Sequence, residues 1–376
     1  MAESSIAANV ARLRLDRQLT QANLARSAGL SRVAVGKIER GEVEPQARTL
    51  DALAKALEVP VGDLVTPVRR LESVRFRARK RVHAREQILA EVATWLDAYR
   101  ALETGLGAAE HFMVDSPSQP NLDAAAVAQI ARVQFELEPH QPVLDICGLL
   151  EQRGVKVLLL ETHRDSFFGL SVGPEDGGPA VVVNTWDRIS VERWIFTAAH
   201  ELGHLLLHPS EYDSSATDLP VDTEREADAF ASEFLMPDTA FRPAWAQTEG
   251  HPLLVRVLKV KRMFRVSYKT VLYRLVATGQ ATNEVWSAFQ HQHRRQFGGT
   301  LGKADEPAAL RESEFAWHWG RSGEPDHLSE HDFVDDRLSS LVRRSLQAGH
   351  ISLGRGAEIL GLSGEQMRQR VGEWVD

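Results

Sequence analysis

The sequence contains a single cysteine and no apolar run as long as a membrane-spanning helix requires. The lone thiol, Cys147, cannot form an internal disulfide, so we expect a small buried apolar side chain there. Because the N-terminus also lacks the apolar core of a signal peptide, we expect a cytoplasmic protein with no membrane partner. The 376 residues are enough for two or three domains with cores of their own.

Charge is distributed unevenly along the chain. The formal net charge is -8, yet residues 1–100 carry 18 Lys and Arg against 12 Asp and Glu, a surplus of +6. The remaining residues carry a net charge of -14. A basic N-terminal part on an acidic body predicts an anionic partner for the N-terminal part alone.

A His-Glu-x-x-His motif lies within IFTAAHELGHLLLH, residues 195–208. On a helix, residues four apart share a face, so His200 and His204 can bind one zinc ion. Glu201 then lies beside the open side of the metal, where its carboxylate can accept the proton of an attacking water. The alternative is a chance spacing on a core helix, because the motif by itself is only moderately specific.

A second helix, predicted over residues 223–235, offers acidic side chains at helical spacing. Glu224 and Asp228 stand at i and i+4 and therefore face the same way. We predict Glu224 as the third zinc ligand and Asp228 as the carboxylate that orients the ring of a zinc-bound histidine. Glu226 points off this face and is the weaker ligand candidate.

The segments AHELGHLLLH and EREADAFASEFLMP resemble the ImmA/IrrE-type metallopeptidases, a branch of the gluzincins, and the resemblance covers residues 143–278. It implies that His200, His204 and Glu224 bind Zn²⁺ and that Glu201 is the catalytic base of an endopeptidase. It also implies a protein substrate, a repressor whose cleavage releases genes of a stress response or a mobile element. A degenerate site that keeps the motif is the alternative.

Residues 6–65 have the pattern of five short helices separated by turn signals. Thr20 and Ser31 are predicted N-caps, and Gly29 lies in the turn between the second and third helices. The stretch LTQANLARSAGLSRVAVGKIERGEVEP resembles the XRE-type (Cro/C1-like) helix-turn-helix regulators, over nearly all of residues 1–66. The spacing predicts core positions at Ala25, Leu30, Val35, Ile38, Leu50, Leu53 and Leu57.

The resemblance to XRE-type regulators implies double-stranded operator DNA as a partner, with the helix after the turn in the major groove. Arg32 is the best candidate for a bidentate contact to guanine. Because such regulators bind paired half-sites, a homodimer is expected. A five-helix module that binds only proteins is the alternative. The implied DNA contacts are Ser31, Arg32, Val33 and Lys37 in the groove and Gln21 on a phosphate.

Residues 69–85 carry eight basic side chains and are interpreted as a linker or a solvated helix face; phosphate contacts beside the DNA-binding unit are the alternative. Strands predicted at residues 155–160, 167–172 and 180–184 form a small sheet beside the predicted zinc-binding helix. The edge strand of such a sheet can pair with an extended substrate peptide. The sequence assigns no oxyanion stabiliser. His208, four residues after His204, falls on the metal-facing side, where a histidine more often supports a ligand or packs in the core than binds the metal. Tyr212, His163 and Tyr268 are the other candidates.

The last part of the chain is irregular over residues 282–331 and helical over residues 333–374. His291 and His293 are expected on the surface without a metal, because no spaced carboxylate or cysteine lies nearby. Ser352 and Ser363 are predicted N-caps of a miniature helix-turn-helix pattern. Packing or dimerisation is the expected role of this part, and a second DNA or partner contact is the alternative.

These patterns together predict a mostly α fold with a small β-sheet (α+β). We expect a five-helix DNA-binding domain over 1–66, a basic linker and helix over 67–121, an ImmA/IrrE-like gluzincin domain over 122–280, and an irregular segment with a C-terminal helical region over 281–376. The predicted function is a DNA-binding transcriptional regulator whose zinc endopeptidase cleaves a regulatory protein. The alternative is a non-proteolytic repressor or antitoxin whose zinc domain senses a signal or binds a partner such as a toxin.

Overall fold

The computed structural model describes residues 5–17, 19–65, 71–78, 85–114, 122–164, 167–212, 221–302, 305–308 and 328–374. The chain divides into two compact units, one of Met1–Leu71 with Lys80–Ala98 and the other of Glu72–Arg79 with Tyr99–Asp376. The described residues are mostly helical with one small sheet, which confirms the predicted α+β class.

Short helices build the first unit: α1 (Ser5–Asp16), α2 (Gln21–Ser27), α3 (Arg32–Glu39), α4 (Ala47–Leu57) and α5 (Val61–Val65). Thr20 and Ser31 accept hydrogen bonds from the backbone N–H three residues on, which confirms both N-caps. Gly29 adopts a positive φ of 67° in the turn between α2 and α3, a conformation that glycine allows without strain. The predicted core positions are buried, except that Leu30 and Leu50 are half-buried at its edge.

The second unit contains a four-stranded sheet in the order β1, β3, β4, β2. Its strands are β1 (Val74–Ala78), β2 (Lys156–Leu160), β3 (Phe167–Val172) and β4 (Ala180–Asn184). β3 pairs antiparallel with both β1 and β4, whereas β2 pairs parallel with β4. The three strands predicted from the sequence are confirmed to within a residue.

Strand β1 corrects the interpretation of residues 69–85 as a linker or solvated helix face. Val74 and Arg75 are buried, and Arg75 lies opposite Ser171 of β3 in the strand register. The prediction was wrong because it weighed the charge of this stretch and passed over the alternation of apolar and basic residues in VRFRA, which is a strand pattern; the partner strand far along the chain has no local sign. Phosphate contacts were the alternative for the same residues 69–85, of which 69–70 and 79–84 lie outside the described residues.

The helices that follow β1 and precede the C-terminal region are α6 (Arg85–Leu106), α7 (Ala124–Gln134), α8 (Ile146–Glu151), α9 (Val191–Leu207), α10 (Val221–Leu235), α11 (Asp238–Ala246), α12 (Leu253–Phe264), α13 (Tyr268–Ala277) and α14 (Glu284–Phe297). The helix α9 packs against β3, β4 and α10 and is buried along most of its length. A Cβ on Gly203 would lie 2.9 Å from Phe230 Cδ1, so this glycine allows α9 and α10 to approach closely. Cys147 is buried in the same core, as predicted.

The C-terminal region forms α15 (Arg337–Gln347), α16 (Leu353–Ile359) and α17 (Gly364–Glu373), with Ser352 and Ser363 as N-caps. Glu151 accepts hydrogen bonds from the backbone N–H groups of Asp336 and Arg337, so this region is anchored within the second unit. None of the described helices is long and apolar enough to cross a membrane.

The two histidines of α14 differ in exposure. His291 is exposed as expected, but the prediction was wrong for His293, which is buried. Its ring stacks on Phe289, and its Nδ1 lies 2.8 Å from Gly299 O. Both contacts are local, one to the residue four positions earlier and one to the turn after α14, and the prediction considered only the missing metal ligands.

Candidate metal centre and DNA-binding surface

Three side chains from α9 and α10 converge on one point. The Nε2 atoms of His200 and His204 lie 3.0 Å apart. Glu224 places Oε1 3.2 Å from His204 Nε2 and Oε2 3.5 Å from His200 Nε2. Within the described part of the chain, these residues form the one cluster of three or more His, Cys, Asp or Glu side chains that could hold a metal ion.

The geometry of this cluster fits a zinc ion. Ligand atoms at zinc distances of about 2.0–2.1 Å on a tetrahedron stand roughly 3.3–3.4 Å from one another. The observed separations of 3.0–3.5 Å bracket that value. Two histidines and one glutamate are also a donor set of catalytic zinc sites, in which the fourth position stays open. His200, His204 and Glu224 are therefore the residues that would hold Zn²⁺ in this protein.

The Nδ1 atom of each histidine, on the side of the ring away from the cluster, lies close to another side chain. Asp228 Oδ1 lies 2.9 Å from His200 Nδ1, which is where the predicted orienting carboxylate should be. His204 Nδ1 lies 3.1 Å from Nδ1 of His208, whose Nε2 is 2.8 Å from Glu226 Oε2. Glu226 thus points away from the cluster and acts through His208. The spacing of four from His204 predicted a supporting or core position for His208, which these contacts agree with, but sequence reasoning missed the partner Glu226.

The protonation state of His204 suits metal binding. Burial is the main cause that lowers the pKa of His204 to about 3, and the positive charge of Arg75 contributes in the same direction. The imidazole is therefore neutral near pH 7, and a neutral ring nitrogen is the form that binds a metal ion.

Glu201 is buried at the centre of α9 and is held by strand β3. Ser171 Oγ donates a hydrogen bond of 2.8 Å to Glu201 Oε2, and Tyr212 Oη donates one of 3.0 Å to Ser171 Oγ. Burial raises the pKa of Tyr212 far above its usual value, so its hydroxyl stays protonated and can donate. Tyr212 was one of the oxyanion candidates, whereas Ser171 carried no signal in the sequence.

The two other candidates for oxyanion stabilisation lie elsewhere. The ring of Tyr268 stacks on Phe289 in the core, with 4.9 Å between centroids. The exposed ring of His163 lies 5.6 Å from that of Trp186, and its Nε2 is 3.3 Å from Glu161 Oε1. Neither contact involves the histidine cluster.

A close approach of β3 to α9 depends on Gly169. A Cβ at this position would lie 2.6 Å from Thr197 Cγ2 and 2.7 Å from Val182 O. Real side chains do not come so near, so any other residue would force strand and helix apart. The glycine therefore keeps Ser171, two residues along β3, within reach of Glu201.

The predicted DNA contacts lie on α3 and at the start of α2. Arg32 and Lys37 are exposed, and Val33 exposes 66% of its surface, which is unusual for valine and suits contact with a thymine methyl group. Ser31 is exposed too, although its Oγ accepts the capping hydrogen bond from Ala34. Gln21 is half-buried, and its Nε2 donates a 2.8 Å hydrogen bond to Glu39 Oε2.

Comparisons with known proteins match two separate segments of the chain to two families. Residues 10–64 match the helix-turn-helix family, and residues 150–276 match the IrrE N-terminal-like domain. An uncharacterized HTH-type transcriptional regulator of Sinorhizobium fredii, y4dJ, is 40% identical over 62 residues, which are 16% of this chain and 80% of that protein. The chain belongs to the HTH-type transcriptional regulators. It is a DNA-binding regulator fused to an IrrE-like domain.

Two solved structures of regulators also align with this HTH-type regulator. The apo competence regulator ComR from Streptococcus vestibularis is 12% identical, with 76% of each chain covered and a TM-score of 0.16. PlcR of Bacillus thuringiensis, in complex with the peptide PapR7 and DNA, is 14% identical, with 76% of this chain and 92% of that chain covered and a TM-score of 0.17.

Proposed function

We propose that the IrrE-like domain is a zinc-dependent endopeptidase that cleaves a regulatory protein such as a repressor, and that the helix-turn-helix unit brings it to operator DNA. The observation that carries the proposal is the position of Glu201. Its carboxylate is buried on the same helix as His200 and His204 and is fixed by Ser171. A complete donor set with a positioned carboxylate beside it is what metal-assisted peptide hydrolysis needs.

Each residue around the cluster has its own role in the proposed hydrolysis. Zn²⁺ supplies Lewis acidity at a site of this kind when it is bound. Glu201 accepts a proton from the attacking water and delivers it to the departing amine. Ser171 keeps one carboxylate oxygen in place, and Tyr212 orients the Ser171 hydroxyl so that it donates toward Glu201. Asp228 and His208 hold the rings of the two histidines.

The proposed DNA binding and the proposed peptidase activity belong to one chain, which bears on the choice of substrate. We propose that Ser31, Arg32, Val33 and Lys37 contact base edges while Gln21 contacts a phosphate, in a homodimer on paired half-sites. A peptidase held at an operator meets the DNA-bound proteins there at a raised effective concentration. The substrate class that follows is a regulatory protein bound at or near the same operator.

A non-proteolytic regulator is the second candidate, and one observation favours it. Strand β1 pairs with the edge of β3, where an extended peptide would otherwise add. In that case the zinc domain senses a signal or binds a partner, such as a toxin, without hydrolysing a peptide bond.

Metal analysis and a search for new protein termini separate the two candidates. Wild-type chain and Glu201→Gln should each hold about one zinc per chain, and His204→Ala should hold none. New N-termini in a regulatory protein should then arise in cells that express wild-type chain but not in cells that express Glu201→Gln. If wild type and Glu201→Gln both hold zinc, and the regulatory proteins have the same N-termini in the two kinds of cell, the non-proteolytic candidate is established instead.

A further inference from the structure

The edge of β3 beside Glu201 is occupied by a strand of this chain that the proposed peptidase mechanism does not use. In the antiparallel register, Arg75 of β1 stands opposite Ser171. Directly opposed residues of two antiparallel strands project to the same face of the sheet. Arg75 therefore enters the face on which Ser171 holds Glu201, next to the metal cluster.

The side chain of Arg75 fills a polar subsite there. Nη1 contacts Glu211 Oε2 at 2.7 Å, and Nη2 donates to Thr223 Oγ1 at 2.9 Å. Thr223 directly precedes Glu224 in α10, so this subsite adjoins the candidate metal ligands. Arg75 is 1% exposed, whereas the Glu211 side chain is 43% exposed, so the carboxylate that receives the arginine is reachable from solvent.

The backbone just before β1 is recognised as well. The N–H groups of Glu72 and Ser73 both donate to Asp176 Oδ2, at 2.5 and 2.7 Å, in the connection between β3 and β4. Gly173 N continues the strand pairing by donating to Ser73 O at 2.8 Å. Backbone recognition along a sheet edge, combined with a side-chain subsite, is the usual way in which a sheet binds an extended peptide.

The fit of the arginine is incomplete. Arg75 Nε is buried and has no hydrogen-bond partner among the described residues. A buried donor left without a partner weakens the hold on its side chain. The cost of this unsatisfied donor lowers the free energy needed to release β1 from the β3 edge.

We propose that the β3 edge is a binding site for an extended peptide segment with an arginine, whose guanidinium enters the subsite of Glu211 and Thr223, and that β1 is an internal ligand of this site. This inference rests on the proposed function, since it names the substrate class of the same centre. A substrate strand displaces β1 before its backbone comes beside Glu201. The planar guanidinium, which donates from two nitrogens to two separate acceptors, makes the subsite selective for arginine over lysine.

Direct binding of a labelled peptide tests the proposal without any catalysis. The probe is a fluorescein-labelled peptide ESVRFRA, the sequence of residues 72–78, and its matched control replaces the first arginine by uncharged citrulline. Full-length Arg75→Ala, in which the subsite is vacated, should bind the probe about ten- to a hundredfold more tightly than wild type, as read by fluorescence anisotropy. The citrulline peptide should lose this gain, and so should the probe on Arg75→Ala/Glu211→Ala.

Equal binding of the probe to wild type and Arg75→Ala, or binding that ignores the citrulline replacement, would overturn the proposal and leave Arg75 with a structural role. A second measurement uses wild type alone, in case Arg75→Ala does not fold. Excess probe should speed hydrogen exchange at the amides of residues 74–78 and leave β4 unchanged; unchanged exchange in β1 at saturating probe overturns the proposal. Neither assay needs zinc or hydrolysis. The peptide-binding proposal can therefore hold where the peptidase proposal fails, and the peptidase proposal can hold where the peptide-binding proposal fails.

Discussion

Ser171 Oγ donates a 2.8 Å hydrogen bond to Glu201 Oε2 and so joins strand β3 to the centre of α9. This contact links the β3 strand, beside which β1 pairs, to the proposed base. A hydrogen bond to the charged form of a carboxylate lowers its pKa, and it also fixes the direction of its oxygens.

Replacing Ser171 by Ala should therefore lower the rate of Glu201-dependent cleavage about tenfold or more, because a hydrogen bond to a charged group contributes about 1.5–3 kcal/mol. The pKa on the acidic limb of the pH–rate profile should rise, since the ionised carboxylate loses a donor. Zinc content should stay at the wild-type level. A variant that loses zinc, or one that keeps the wild-type profile, would contradict this role for Ser171.

Asp228→Ala should weaken zinc binding about 10- to 100-fold, as expected when the group that orients a ligand histidine is removed. Competition with a chromophoric chelator measures this affinity directly. Asp222→Asn is the matched control, because Asp222 is exposed on the same helix and contacts Arg225. Equal affinities in the two variants would show that the 2.9 Å contact between Asp228 and His200 does not support the site.

Gly169→Ala should lower the free energy of unfolding by about 1–3 kcal/mol, the usual cost of forcing extra atoms into a packed core. The added Cβ would meet Thr197 Cγ2 at 2.6 Å, and separation of β3 from α9 should also reduce cleavage. Urea unfolding measures the loss. Gly372→Ala, on α17 with no atom within 4 Å of the added Cβ, should be neutral or slightly stabilising. A neutral Gly169→Ala would show that the strand and helix can move apart freely.

Glu151 should make stability depend on pH. Burial raises the pKa of Glu151 to about 7 from 4.5, although hydrogen bonds from the backbone of Arg337 and Asp336 oppose the shift. The folded state therefore binds a proton more tightly than the unfolded state, and this stabilisation, complete below about pH 4.5, is lost as the pH rises through about 7. Its contribution to the free energy of unfolding should fall by roughly 2–3 kcal/mol between about pH 5 and pH 8.

Glu151→Gln tests this pH dependence because it removes the titrating group and keeps an acceptor oxygen. Urea unfolding at both pH values should show a flatter profile than wild type. Glu284→Gln, at an exposed position of α14, should keep the wild-type slope. An unchanged slope in Glu151→Gln would place the titration elsewhere.

Arg32→Ala should weaken the free energy of binding to a preferred DNA duplex, selected from a random library, by about 1–3 kcal/mol. It should also reduce the preference for one base at a single position of the duplex. Electrophoretic mobility shifts across the library measure both effects. The control is Lys55→Ala on α4, an exposed cation paired with Asp51 outside the predicted surface. If both variants lose affinity equally for all duplexes, Arg32 contacts phosphate rather than bases.

Local spacing was sufficient to identify several features of this protein. The i and i+4 relations within α9 and α10 predicted that His200, His204, Glu224 and Asp228 come together, and the structure brings them together, while their roles toward zinc stay predictions. Capping residues, the first-unit core and the strands β2 to β4 were likewise readable, because each depends on neighbours in the chain or on a short apolar period.

Long-range contacts decided the rest. Strand β1 exists because its backbone pairs with β3, and nothing within a basic stretch encodes that partner. Ser171, Arg75 and the pair His208 with Glu226 acquire their roles only where separate elements meet. The sequence by itself predicted the candidate metal-binding and DNA-binding residues, because each set rests on short helical spacings within a recognisable motif. Only the tertiary structure decided what holds Glu201 and what pairs with the edge of β3, because both depend on contacts between elements far apart in the chain.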